Sequence, residues 1–266
     1  MPNIDSHKPG SFCWIELSTT DQNAAKKFYT SLFGWTVNDL PMGPDSVYTM
    51  FQLGGKDIGA AATLRPDLLA AKVPPNWALY IEVASADATA ERAAKAGGKL
   101  LAPPFDVMDV GRMSVIQDPT GACFCIWQSN KGKGIQVVGE PGTLCWADLN
   151  SPDPERARKF YGDVFGWKFG ADTHSDPPSG YMHIQNGEEF IGGVPPVRSG
   201  NGHPIPPHWL SYFLVTDCDA TAAKARELGA RYCLEPMSME YVGRISILTD
   251  PQGAAFAIYQ PVPKKG

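Results

Sequence analysis

The chain has 266 residues, room for two domains of about 130 residues, each with its own core. Its composition, 43% hydrophobic and 19% charged, is that of an ordinary globular protein and argues against disorder. A net charge of −5 with scattered Lys and Arg speaks against nucleic-acid binding, and no apolar run approaches a membrane-spanning length.

Residues 1–10 are polar, carry Pro2, Asp5, Ser6 and Pro9, and have no apolar core of a signal peptide, so they read as a loose tail. The first structured stretch, Phe12-Cys13-Trp14-Ile15-Glu16-Leu17, alternates as a strand does. Asp21 then caps a helix over 23–33 that exits through Phe33-Gly34-Trp35. Short β-branched and aromatic segments complete a first module at 11–62. After a connector at 63–76, a second module at 76–128 has Asp87 open an Ala-rich helix that stops at Gly97-Gly98. It closes on Asp118-Pro119-Thr120-Gly121, with Pro and Gly where a type I turn prefers them.

Beyond a linker at 129–142 the chain repeats itself at an offset of 132. Trp14 recurs as Trp146, Trp35 as Trp167, Trp77 as Trp209, Arg112 as Arg244 and Asp118 as Asp250. Near Ile58 and Ile191 the offset is briefly 133, which marks a one-residue insertion later compensated. So many coincidences at one spacing mean an internal duplication. The second half therefore divides into modules at 143–195 and 208–260, followed by a tail at 261–266. Every module reads strand, helix, then about three strands, an α+β architecture. The six cysteines lie mostly inside apolar runs without a disulfide spacing, as expected of reduced thiols in a cytoplasmic protein.

The paired βαβββ units, the Asp-x6-Phe-Tyr-x3-Phe-Gly-Trp helix and the Asp-Pro-x-Gly hairpins resemble the vicinal oxygen chelate superfamily. This group holds glyoxalases, extradiol dioxygenases and bleomycin-resistance proteins. The resemblance covers residues 11–260 and extends to bacterial tandem glyoxalase-like proteins. It implies four βαβββ modules paired into two tandem glyoxalase-like domains, 11–128 and 143–260, with curled mixed sheets. The helices lie on the convex side and the ligand on the concave side.

Strand alternation then sorts the faces. Cys13, Ile15 and Leu17 are expected to cover the helix and Trp14, Glu16 and Ser18 to face the cavity. In the second half the cavity set is Trp146, Asp148 and Asn150, with Cys145, Ala147 and Leu149 behind. The second strand pair adds Ala78, Tyr80 and Glu82, or Leu210, Tyr212 and Leu214. The closing strands add Cys123, Cys125 and Trp127, or Ala255, Ala257 and Tyr259. The family's metal slots fall on Trp14, Ala78 and Cys125 in one half and on Trp146, Leu210 and Ala257 in the other. Tryptophan, alanine and leucine do not ligate a divalent cation. No cofactor is therefore expected. Divalent metal remains only as an alternative, through relocated donors such as Glu16, Asp148, His183 or His208.

The candidate ligand-binding residues are Trp14, Glu16, Tyr80, Glu82, Cys125, Trp146, Asp148, Tyr212 and Tyr259. Glu16 and Asp148 are the candidate catalytic acids or bases, since a carboxylate among aromatics is desolvated and its pKa rises. The competing reading pairs these acids with Arg112, Arg244 or a Lys. The two Val-Gly-Arg stretches otherwise either clamp a carboxylate or phosphate at a cavity mouth or, as the favoured reading, pin a loop against the Asp-Pro-x-Gly hairpin. The expected role is binding or sequestration of a small, partly aromatic or apolar molecule by a monomer or homodimer. The alternative is a glyoxalase-type lyase, isomerase or dioxygenase. Nucleotide and common hydrolase motifs are absent.

Overall fold

The computed structural model describes residues 4–44, 46–171, 180–197, 199–200 and 203–262, with only the backbone of 199–200 and 203–204. His174, Lys264, Lys265 and the side chain of His203 lie outside the described residues.

The first half runs β1 (Phe12–Thr19), α1 (Gln22–Phe33), β2 (Thr36–Gly43), β3 (Ser46–Leu53), β4 (Lys56–Thr63), a short α2 (Pro66–Ala70) and β5 (Asn76–Glu82). It closes with α3 (Ala86–Lys95), β6 (Lys99–Val107), β7 (Gly111–Gln117) and β8 (Cys123–Ser129). The second half runs β9 (Leu144–Asn150), α4 (Pro154–Phe165), β10 (Lys168–Ala171), β11 (Met182–Asn186) and β12 (Glu189–Val194). After a two-stranded ribbon, β13 (Ser199–Gly200) and β14 (His203–Pro204), come β15 (His208–Leu214), α5 (Cys218–Glu227), β16 (Arg231–Met239), β17 (Gly243–Thr249) and β18 (Ala255–Pro261).

Helix boundaries follow local chemistry. The Asp21 and Asp153 side chains accept the N–H of Ala24 and Arg156, satisfying donors that a helix start leaves open. Gly34 and Gly166 end the same helices at φ +73°, a left-handed turn that costs glycine little.

Each half forms one open eight-stranded mixed sheet, ordered β2-β3-β4-β1-β5-β8-β7-β6 and β10-β11-β12-β9-β15-β18-β17-β16. In the first, β1 is parallel to β4 and antiparallel to β5, which is parallel to β8. Neighbouring modules of one half thus pair along their first strands, and the fold is two tandem sheets of paired βαβββ modules.

The two sheets turn their helix-bearing faces to one continuous core. Ile15, Leu17, Leu79, Ile81, Phe124 and Ile126 meet Leu149, Phe213, Phe256 and Ile258 there. Phe12 packs edge-on against Trp209 at 5.5 Å, and Trp77 against Phe213 at 5.4 Å. Polar links across this junction are reciprocal. Tyr29 donates to Asp250 and Tyr161 to Asp118, each at 3.0 Å. Trp35 donates to the Gly142 carbonyl and Trp167 to that of Gly10, each at 2.9 Å. Each hairpin aspartate therefore does two things. Its Oδ1 accepts backbone N–H groups of its own turn, and its Oδ2 holds the other half.

Three local expectations change. Residues 4–10 are tied down, because Ile4 N–H bonds to the Gln136 carbonyl, the His7 ring to that of Ile135, and Gly10 N–H to that of Glu82. Cys13 and Cys145 leave the helix side. The pairing register slips between Phe12 and Trp14, and between Tyr212 and Phe213, so Phe12 and Leu144 take the core positions and the thiols turn to the opposite face. Arg112 and Arg244 do not reach Glu16, Glu82 or the hairpin turns. Arg112 clamps Asp87 and Asp106, fastening α3 to the β6–β7 ribbon, and Arg244 repeats this with Asp219 and Ser238. Among the described residues no helix is long and apolar enough to cross a membrane.

Candidate functional site

The faces turned away from the shared core carry most of the residues singled out from sequence. On the first sheet, cross-strand partners place Trp14 beside Tyr80, Glu16 between Ala60 and Ala78, and Cys125 beside Tyr80. One carboxylate oxygen, Glu16 Oε2, accepts the Tyr48 hydroxyl at 2.8 Å and the Tyr80 hydroxyl at 3.3 Å. The Trp14 indole N–H donates to the Tyr48 oxygen at 3.1 Å. Burial pushes the Glu16 carboxyl above its usual range, while the two hydroxyl donors pull it down. Tyr48 and Tyr80 are pushed up, first by burial and then by the neighbouring Glu16 charge. Burial, with Glu16 beside it, also pushes the Cys125 thiol up, which works against the thiolate form.

The second sheet repeats the arrangement with different chemistry. Asp148 Oδ1 accepts the Tyr181 hydroxyl at 2.6 Å and the Trp146 indole at 3.1 Å, and Oδ2 accepts the Tyr212 hydroxyl at 2.8 Å. Asp148 is 6% exposed, whereas Glu16 is only half-buried. Its cross-strand neighbours are Gly193 and Leu210. His183 pairs with Gly193 on the same face and contacts the Trp146 and Tyr181 rings edge-on, at 6.0 and 5.2 Å. His208 Nδ1 bonds to the Pro206 carbonyl at 2.7 Å, so that nitrogen carries the proton. Burial lowers the pKa of His208.

Two of the nine candidates sit apart from these clusters. Glu82 ends β5 and accepts the N–H and hydroxyl of Ser129. The Tyr259 ring packs at the rim of the second cluster, over Gly243, and its hydroxyl is taken by the Val242 carbonyl at 2.8 Å. Tyr48 and Tyr181 were not singled out from sequence. They are 133 residues apart, the local offset already visible at Ile58 and Ile191, and that offset was the signal available.

Trp14, Ala78 and Cys125 stand on one of these faces and Trp146, Leu210 and Ala257 on the other, and the tryptophan, alanine and leucine side chains offer a divalent cation no donor. Among the described residues no three His, Cys, Asp or Glu side chains converge as ligands. A cleft of about 170 Å³ lies elsewhere, where Gly10, Glu82 and Arg92 meet Val164 and Phe165 of the other half.

The model of the Glyoxalase/Bleomycin resistance protein/Dioxygenase superfamily matches residues 11–126 and 143–258. CFP32 of Mycobacterium tuberculosis (strain CDC 1551 / Oshkosh), a glyoxylase by provisional name, is 41% identical over 272 residues, spanning all of both chains. The anthracycline biosynthesis protein DauV of Streptomyces sp. (strain C5) is 34% identical over 270 residues, 95% of this chain and 94% of that one. Among solved structures, the Mn(II)-bound glyoxalase of Novosphingobium aromaticivorans aligns with a TM-score of 0.65 at 16% identity, covering 96% of this chain and 83% of that one. The 2,3-dioxygenase LapB of Pseudomonas sp. KL28 aligns at 0.61 and 11% identity, covering 99% and 96%. At such identities the structural likeness speaks for the fold alone.

Proposed function

The chain belongs to the glyoxalase/bleomycin resistance protein/dioxygenase superfamily, and within it we propose a member that binds a small, partly aromatic or apolar molecule on its concave sheet faces without a metal. The observation that carries this reading is the carboxyl–tyrosine–tryptophan cluster repeated in both halves. Each carboxyl is held by two tyrosine hydroxyls beside an indole, on the faces where the superfamily's metal slots fall on Trp, Ala, Leu and Cys. Hydrogen bonds to a charged group are worth roughly 1.5–3 kcal/mol each, so two of them hold the carboxylate oxygens in place. Aromatic rings around such a fixed polar group make the usual lining of a small-molecule site.

The surroundings support an apolar ligand. Cross-strand pairing puts Leu40 and Met50 on the Tyr48 face, and Phe105 on the face of Met113 and Trp127. Leu40 is 39% and Phe105 43% exposed, far more than a core side chain. The Streptomyces relative's link to anthracycline biosynthesis is in keeping with a flat aromatic ligand. The donor set supports binding or sequestration as the first reading. Burial pushes the Cys125 and Cys145 thiols up, and among the described residues no three His, Cys, Asp or Glu side chains converge to polarise a substrate.

The test is equilibrium dialysis of the protein against a panel of planar aromatic compounds, with mass spectrometry of what is retained. Retention by the wild type that is lost in Trp14→Ala is the expected result. Chemical conversion of a retained compound at a rate that collapses in Glu16→Gln would replace this reading with an enzymatic one.

A further inference from the structure

The two clusters are built from equivalent residues yet differ in what they leave open. In the second half both Asp148 oxygens are engaged, Leu210 fills one side, and Tyr181 lies over Gly193 on the other. Asp148, Leu210 and Tyr212 are all under one-tenth exposed. That carboxyl is sealed.

In the first half Glu16 is flanked by the methyl groups of Ala60 and Ala78, the smallest side chains that a strand packs well. Both tyrosines bond to Oε2, and Oε1 has no protein hydrogen-bond donor among the described residues. No Lys, Arg or His pairs with Glu16 there either. Oε1 still reaches solvent, where a positively charged donor of a ligand can pair with it. Trp14, Tyr48 and Tyr80 bring three aromatic rings to the same cluster. Met50 and Cys125 continue the surface as an apolar wall.

Resting on the binding reading above, we propose that the ligand is an aromatic amine in its protonated form. Its ammonium pairs with Glu16 Oε1, its ring lies against Trp14 and the apolar wall, and it binds in the first half only. The ammonium supplies the donor and charge that Oε1 lacks, while the sealed Asp148 offers no oxygen to a second ligand.

The test compares two probes of nearly the same shape on the wild-type protein by isothermal titration calorimetry at pH 7.5. These are 1-naphthylmethylamine, charged at this pH, and 1-naphthalenemethanol, neutral. The expected result is that the amine binds at least about tenfold tighter, a difference of about 1.4 kcal/mol, with one amine per chain. In Glu16→Gln, which keeps the size and one acceptor oxygen, the two affinities converge. Equal affinities on the wild type, lost together in Trp14→Ala, would overturn the charge assignment and leave small-molecule binding standing. An amine preference that survives Glu16→Gln, or two equivalent amines per chain, would overturn the assignment to Oε1. Failure of both probes to bind would overturn both readings.

Discussion

Tyr181 lies on Gly193, so closely that a Cβ at position 193 would overlap the tyrosine hydroxyl. The equivalent position in the first half is Ala60, where the methyl is tolerated because Glu16 is one methylene longer than Asp148 and meets Tyr48 further out. A short acid with a glycine beside it and a longer acid with an alanine reach the same hydrogen-bonded pattern. Gly193→Ala should therefore push Tyr181 off Asp148 and destabilise the protein by about 1–3 kcal/mol, the usual cost of overpacking. Urea denaturation measures this, and an unchanged midpoint would mean that Tyr181 relocates freely.

Glu16 is placed where burial raises its pKa, and the sign of its effect on stability follows. Below the carboxyl's unfolded pKa both states are neutral, and Glu16 carries no penalty. As pH rises through the raised folded value, ionisation favours the unfolded chain and stability is lost. Glu16→Gln should accordingly melt at a higher temperature than wild type at pH 7.5, with the gain vanishing toward pH 4. Thermal melts at both pH values read this directly. A variant less stable at pH 7.5 would show that the tyrosine bonds outweigh desolvation. Residues kept for binding commonly cost stability in this way.

The junction between halves depends on paired polar links buried in an aromatic cluster. Tyr29→Phe removes the donor to Asp250 and strands the Trp77 N–H, which bonds to the same hydroxyl at 2.9 Å. Tyr161→Phe does the same to Asp118 and Trp209. Each change should cost about 1–3 kcal/mol, since buried partners are left unsatisfied. Because the two links share no hydrogen-bond partner, the double variant should approach the sum. A double-mutant cycle in chemical denaturation checks both statements.

Ser211 occupies the position that Leu79 takes in the first half, and its buried hydroxyl finds no hydrogen-bond partner among the described residues. Ser211→Ala removes that desolvated group at little cost in volume and should stabilise by about 1 kcal/mol. A fall in melting temperature would reveal a partner that the hydroxyl does use.

What the sequence determined by itself was everything written in local periodicity or in repetition. The 132-residue offset, the Asp21 and Asp153 caps, the glycine exits at Gly34 and Gly166, and the strand alternation that turned Trp14, Glu16, Trp146 and Asp148 to one face were all legible. These features depend on a few neighbouring φ/ψ angles and on side-chain parity, which a chain carries wherever it is placed. The tertiary structure decided what alternation does not reach. Single-residue slips in pairing turned Cys13 and Cys145 to the opposite face. Tyr48 in β3 and Tyr181, just before β11, come to their carboxyls from about thirty residues away, through the pairing of β3 with β4 and of β11 with β12. Which carboxyl is sealed and which is open rests on what stands beside each in neighbouring strands: Gly193 and Leu210, or Ala60 and Ala78. Cross-strand register sets those neighbours, and register is a property of the assembled sheet.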